Sequence, residues 1–482
     1  VKKMSNKIHL FNTLSRRKEP FTPLKEGKVT LYTCGPTVYD FAHIGNFRTY
    51  VFQDILRRWL EYRGYKVIQV MNITDVDDKI IASVNREKIP LKEYTKRYER
   101  AFFEDLEALN IEKAEYYPRA TEHISDMVAL IQKLIEKGYA YRGDDGSIYF
   151  DISKFREYGK LSKIKTEQLR PGARVKTNHY GKESPYDFAL WKAWDKADGA
   201  VFWETSLGKG RPGWHIECSV MAMKYLGETL DIHSGGIDLI FPHHENEIAQ
   251  SEAATGKPFV RYWLHSEHLQ VEGQRMAKSL GNYYTLRDLI AKGYSPLAVR
   301  FLLLSTHYRQ QLNFTFQALE AAENALKRLL NFMERLDEAD GAGVGEPLKK
   351  LMHEVLTKFE ENMDDDLNVT EALAILFNFI REVNKLMDKN KVSQAEAKEI
   401  RQLMYKFDKI LGVIEKAEKL FEKGKLSREI QELIEKREEA RKLKDWKTAD
   451  EIREKLRQMG ITLEDTPKGV KWKIRRPPEP ES

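Results

Sequence analysis

A strand, a helix and a second strand follow one another closely near the start of this chain, and no other feature restricts its fold as much. The run Lys28-Val29-Thr30-Leu31-Tyr32-Thr33 is strand-like and stops at Cys34-Gly35-Pro36, a turn signal. From Phe47 to Arg63, Tyr50, Val51, Ile55, Trp59 and Leu60 recur at helical spacing, which predicts an amphipathic helix, and Gly64 suits its end. Lys66 to Met71 is again rich in β-branched residues. Strand, helix, strand is the opening of a parallel α/β sheet.

The pattern then changes several times. Residues 92–138 read as charged helices. Residues 139–209 hold short strand-like runs such as Ser147 to Phe150, glycines and tryptophans, and read as an insertion between two halves of the sheet. The α/β pattern resumes with a helix from Ile216 to Tyr225, a strand-like run from Thr229 to His233 before Gly235-Gly236, and a helix from Glu245 to Ala254. Beyond 296 nearly everything reads as helix, including Ala318 to Leu336, Leu348 to Met363 and the highly charged stretch Leu426 to Met459. Gly460 to Arg476 has β character. At roughly 100–200 residues per domain, such a chain makes about three structural units.

Charge is too balanced to announce nucleic acid by itself: 80 basic against 74 acidic residues, net +6. Phosphate contact would depend on a local basic patch. Two cysteines, Cys34 and Cys218, in 482 residues argue for a reducing compartment and against a disulfide scaffold. The opening Val1-Lys2-Lys3-Met4 lacks the apolar core of a signal peptide, and no apolar run reaches the ~18 residues of a membrane span. A cytoplasmic location is the expectation.

Two segments have the makings of a nucleotide site. Pro36-Thr37-Val38-Tyr39-Asp40-Phe41-Ala42-His43-Ile44-Gly45-Asn46 links strand to helix. Gly45 there allows close approach of a ligand to the backbone, and a helix N-terminus offers N–H groups to phosphate. His43 can donate a hydrogen bond as charge builds on a phosphoryl group. Arg275-Met276-Ala277-Lys278-Ser279-Leu280-Gly281-Asn282 is a loop from which Lys278 can reach a triphosphate. Taken singly, each segment also reads as an ordinary solvated turn.

A third group has the chemistry of a metal site. Cys34 ends the first strand, Cys218 lies in Gly213-Trp214-His215-Ile216-Glu217-Cys218, and Phe241-Pro242-His243-His244-Glu245-Asn246-Glu247 follows. His243 and Glu247, four apart, share one face of a helix. Two thiolates, an imidazole and a carboxylate suit zinc, with His244 and Glu245 as competitors for the last two places.

Together the first two segments resemble the paired "HIGH" and "KMSKS" motifs of class I aminoacyl-tRNA synthetases. Asn46 stands where the final histidine is usual, and Arg275 and Ala277 replace the first lysine and first serine. Lys3-Met4-Ser5-Asn6-Lys7 is a decoy ahead of any sheet element. The third group, with Pro185-Tyr186-Asp187-Phe188-Ala189-Leu190-Trp191-Lys192, resembles cysteinyl-tRNA synthetases specifically. Further matches are Met363-Asp364-Asp365-Asp366-Leu367-Asn368 and the segment from Gly460 to Trp472.

The resemblance implies a Rossmann-like catalytic domain in two halves, 1–138 and 210–295, the second carrying the KMSKS-like loop. Residues 139–209 become the connective insertion, 296–420 a helical stem-contact and bundle domain, and 421–482 an anticodon-binding domain. It further implies ATP-dependent joining of L-cysteine to tRNA(Cys) through a cysteinyl-adenylate. His43, Asn46 and Lys278 would be catalytic, with Gly45 and Ser279 also at ATP, Mg²⁺ accompanying the nucleotide, and Gly35 and Trp214 at the amino acid. One zinc ion on Cys34, Cys218, His243 and Glu247 would take the substrate thiolate and so reject serine, which an apolar pocket discriminates poorly. Lys471, Trp472, Arg475 and Arg476 would meet RNA, basic groups beside an aromatic suiting single-stranded bases. A monomer with no membrane contact is expected. The rivals are a cysteine ligase acting on a sugar amine, as in mycothiol synthesis, and a non-catalytic RNA-binding paralogue.

Overall fold

The strand–helix–strand unit lies at the centre of the fold as Lys28–Thr33 (β1), Ile44–Tyr62 (α1) and Lys66–Met71 (β2). The computed structural model describes residues 7–164, 174–175, 187–423, 428–443, 445–458, 461–466 and 469–474. Leu230–Gly236 (β3) and Val260–Ser266 (β4) complete a four-stranded sheet in the order β4-β3-β1-β2, with every pairing parallel. Leu31 lies beside Ile232, Tyr32 beside His233 and Thr33 beside Ser234. The chain leaves β1 toward one edge and β3 toward the other, so a crevice opens where the two strands end. Open parallel sheets bind ligands at such a point. Cys34 stands there, and its N–H donates to the Ser234 carbonyl at 3.2 Å.

α1 is less amphipathic in the fold than in the sequence. Fourteen of its 19 residues are buried, among them Arg48, Gln53, Asp54, Arg57 and Arg58. One side packs on the sheet and the other against the helical half of the chain. Asp54 accounts for the arrangement: its carboxylate holds Arg58 at 2.8 Å and Arg300 at 2.6 Å. Arg300, from the helix Pro296–Ser305, also donates to the carbonyls of Leu109, Asn110 and Leu411. Buried charges survive only when paired and hydrogen-bonded in this way.

The stretch between the halves of the sheet forms its own mainly antiparallel sheet, ordered Ala140–Arg142, Ile148–Phe150, Asp187–Ala193, Gly208–Pro212, Trp203–Thr205, with Arg174–Val175 paired in parallel to Asp187–Ala193. Its Gly208–Pro212 strand feeds Trp214–Leu226 (α2) through Gly213, where a Cβ would lie 1.9 Å from the Ala189 carbonyl oxygen. Only glycine fits that approach.

Beyond 296 the helices Phe316–Asp337, Glu346–Asp364, Val369–Asp388 and Gln394–Leu411 dominate. A strand absent from the sequence reading, Leu312–Phe314, pairs in parallel with Leu269–Val271 just before the Lys278 loop. Three residues carry too little periodicity to show as a strand. Toward the end, Arg428–Lys442 and Trp446–Gln458 precede a hairpin of Ile461–Thr466 and Gly469–Ile474. Leu456, Ile461 and Leu463 form a small core of their own there. Among the described residues no helix is long and apolar enough to cross a membrane.

Candidate active site and metal cluster

Three elements converge on the end of β1. Cys34 closes β1, Cys218 lies on α2, and Glu247 lies on the helix Glu245–Thr255 (α3), with His243 in the wide turn just before it. Cys34, Cys218, His243 and Glu247 are all buried, and each offers a ligand atom within 4.8 Å of the others. Burial pushes the Cys34 thiol well up, and its neighbour Cys218 adds to the shift. Burial also opposes ionisation of Cys218, but hydrogen bonding from Cys34 and the His243 imidazole bring it down to about 6. His243, disfavoured as a cation by burial, is carried up to about 10 by Cys218 and Glu247. Glu247 is held at about 2 against burial by His233 and His243.

This donor set fits a metal. Glu247 Oε1 is buried without a hydrogen bond, although His243 Nε2 is 3.1 Å away. The other carboxylate oxygen accepts from His233 Nε2 at 2.8 Å, which fixes the plane of the group. His243 Nδ1 is 2.9 Å from His215 Nδ1, so the ring is tethered behind while Nε2 faces the cluster. Ligating histidines are supported through the second nitrogen in this manner.

The two competitors fare differently. Glu245 turns away and accepts the backbone N–H groups of Gly159 at 2.9 Å and Ser162 at 2.7 Å. His244 stays close: its Nε2 is 3.3 Å from Cys34 Sγ and its Nδ1 is 2.7 Å from His265 Nε2. Cys34, His233, His244 and Glu247 thus form a second, overlapping group of four. The sequence reading gave His215, His233 and His265 no role; they reach the site from three separate elements.

Trp214 opens α2, and its ring stacks on His243 with centroids 4.1 Å apart and planes at 26°. Gly35 donates its N–H to Asn72 Oδ1 at 2.9 Å, and a Cβ there would lie 1.8 Å from the Asn72 carbonyl oxygen.

The nucleotide-like segments meet at the start of α1. His43 is its N-cap: Nδ1 accepts the Asn46 N–H at 3.2 Å, while Asn46 Oδ1 accepts the His43 N–H at 3.1 Å. This reciprocal capping gives Asn46 a local use in place of the usual histidine. With Nδ1 accepting, the ring proton lies on Nε2. Burial, then the Lys278 cation, lower His43 to about 4, so the ring is a neutral donor at neutral pH. A Cβ on Gly45 would lie 2.9 Å from the His43 ring and 3.1 Å from Met276 Cε.

The loop docks on this segment. Ile44 N–H donates to the Tyr284 carbonyl at 3.0 Å, and the Tyr283 ring meets His43 edge-on at 5.2 Å. Asn282 ties the loop to itself, accepting from Ala277 N–H at 2.8 Å and donating to the Arg275 carbonyl at 3.1 Å. Lys278 and Ser279 are exposed at its tip, with Lys278 ion-paired to Asp40. Lys471 and Trp472 fall on the strand Gly469–Ile474, while Arg475 and Arg476 lie outside the described residues.

Known proteins match this chain along its length. Residues 20–324 match the class I (C) tRNA synthetase catalytic domain, 358–415 the DALR domain and 423–472 the cysteinyl-tRNA ligase anticodon binding domain. A cysteine–tRNA ligase of Protochlamydia amoebophila is 51% identical over 471 residues, 97% of this chain and 98% of that relative. One from Chlamydia pneumoniae is 50% identical over 470 residues, again 97% and 98%. Among solved structures, Mycobacterium tuberculosis methionyl-tRNA synthetase with methionyl-adenylate superposes with a TM-score of 0.58 at 15% identity, over 80% of this chain and 90% of that one. A Campylobacter jejuni protein described as a putative arginyl-tRNA synthetase gives 0.54 at 16%, over 82% and 94%. At such identities these two speak for the fold alone. With about half its residues identical to those ligases over nearly its whole length, the chain belongs to the cysteine–tRNA ligase family of class I aminoacyl-tRNA synthetases.

Proposed function

We propose that this protein activates L-cysteine with ATP and transfers it to tRNA(Cys), and that Cys34, Cys218, His243 and Glu247 hold a zinc ion in the amino-acid pocket. The observation that carries the reading is the buried four-donor cluster at the end of β1, one short segment before His43. Of the two overlapping groups, this one has both thiols, the softer donors and those zinc favours. Zinc held by these residues would supply a Lewis acid that favours a thiolate over a serine hydroxyl.

The chain's own residues do the rest. The His215 and His233 contacts hold His243 and Glu247 in fixed orientations. Trp214, stacked on His243, walls the amino-acid pocket, and Gly35 lets the end of β1 pack against Asn72 beside it. The cysteine carboxylate attacks the α-phosphate of Mg²⁺-bound ATP, and pyrophosphate leaves. His43 Nε2–H donates to the phosphoryl oxygens as charge develops, while Asn46 fixes the ring. Gly45 keeps the helix N-terminus open to phosphate, and Lys278, with Ser279 beside it, neutralises the leaving pyrophosphate. A ribose hydroxyl of the terminal adenosine then attacks the adenylate. Both steps call for positioning and charge stabilisation. Lys471, Trp472, Arg475 and Arg476 are assigned to the anticodon side. The matches at 358–415 and 423–472 cover the part that a sugar-amine ligase would lack, and His43 and Lys278 speak against a non-catalytic paralogue.

The protein is read as a cytoplasmic monomer, for which light scattering should return 56.3 kDa. The functional test is charging of total tRNA with labelled cysteine beside a serine control and Cys218→Ser. Cysteine attachment that the variant abolishes is expected. Cysteine-dependent pyrophosphate exchange without charging would favour the sugar-amine ligase, and neither reaction would overturn the enzymatic reading.

A further inference from the structure

The Lys278 side chain is 60% exposed, yet its ammonium is held. Asp40 Oδ2 pairs with it, and the Tyr283 ring lies 5.0 Å from it. Asp40 is itself oriented, because Oδ1 accepts the Phe41 N–H at 2.8 Å and so turns Oδ2 toward the loop. The two residues are 238 positions apart and come from the two segments that meet at the start of α1. The root of the loop is fastened without Asp40, by the Ile44–Tyr284 hydrogen bond and the Tyr283–His43 ring contact. The ion pair adds a tie to the His43 segment at the tip, where Lys278 and Ser279 stand.

The chain therefore answers the cation of Lys278 with its own carboxylate, at the place where the proposed reaction needs that cation for a polyphosphate. An arriving triphosphate carries several negative charges and competes for the ammonium. It also meets Asp40, which repels it unless Lys278 screens the carboxylate. An exposed ion pair is weak enough to exchange readily.

We infer that Asp40 is a positioning residue for Lys278: before ATP arrives it holds the loop tip on the His43 segment, and the polyphosphate then replaces it as partner of the ammonium. The inference rests on the ATP-dependent reading above for its second half only.

Asp40→Asn tests it, since the amide still accepts the Phe41 N–H but carries no charge. In ATP-free protein, tryptic cleavage after Lys278, followed by mass spectrometry, should quicken by about twofold to fivefold, the equilibrium worth of an exposed pair. Cleavage reports the open population when opening is fast. ATP should protect both proteins, and Asp40→Glu should restore slow cleavage. In cysteine-dependent pyrophosphate exchange, Asp40→Asn should lower KM for ATP by a similar factor with kcat little changed. Unchanged cleavage would overturn the inference, and so would a raised KM for ATP, which would place Asp40 in the nucleotide site itself. If the unaltered chain shows no exchange with cysteine, the functional reading fails, and the cleavage arm still decides whether Asp40 holds the loop.

Discussion

Glu247 is wholly buried and Lys278 is largely exposed, although the proposed reaction assigns work to both. Around Glu247, two thiols and several histidines lock one another in place, each oriented by a partner from another element. Around Lys278, one carboxylate and one ring hold a cation at the tip of a loop. The contrast fits the two tasks proposed for these regions. Telling a thiol from a hydroxyl requires donors that cannot relax around the wrong substrate, and burial within a connected network provides that. Handling a triphosphate that enters, reacts and departs as pyrophosphate requires a charge that changes partners, and exposure keeps that exchange cheap.

Substitutions should separate the two regions. The largest effect belongs to Cys218→Ser, which removes one anionic partner from a buried charge network and should cost cysteine-dependent exchange about a thousandfold or more. Zinc content, measured by atomic absorption, should fall with it. Lys278→Ala should lower kcat for exchange by about a hundredfold, the usual loss for one donor to developing charge, while zinc content stays at the unaltered level. A variant in the loop that released the metal would erase the distinction.

A pH series adds a smaller effect on the nucleotide side. His43 is held at about 4 in the folded protein, against an ordinary 6.5 when unfolded. Between those values the unfolded state binds the extra proton, so falling pH destabilises the fold through this residue from 6.5 down to about 4. Thermal melts should show the protein losing stability relative to His43→Asn over that window and no further below it. From pH 5 to 8 the ring stays neutral and should add no limb to the exchange profile. Smallest of all is Asn46→Ala, which removes one half of the capping pair and should cost about 1 kcal/mol in urea unfolding.

The sequence foretold the two regions unequally. The parallel sheet was legible because β1, α1 and β2 switch period within 44 residues, from Lys28 to Met71. The burial of the polar face of α1 was not, because Arg300, the partner of Asp54, lies far along the chain and a helical wheel shows only the helix itself. Cys34, Cys218, His243 and Glu247 span most of the catalytic half, with no spacing that arithmetic could single out, so resemblance supplied the set and chemistry only its rationale. The resemblance already passed over Glu245, and the coordinates add the reason: it reaches Gly159 and Ser162, a contact set by the fold of the insertion. His233 and His265 were hidden for the same reason: a histidine on a strand looks like any core residue until its neighbours are known. Asp40 lay in plain view beside His43, but its partner is 238 residues away.

X-ray absorption at the zinc edge, on the metal-loaded protein with and without cysteine, tests the central claim most directly. Two sulfur ligands from the protein, rising to three on adding cysteine and staying at two with serine, is the result this account predicts. A sulfur shell that does not change with cysteine would mean that the buried cluster supports the fold and does not select the amino acid.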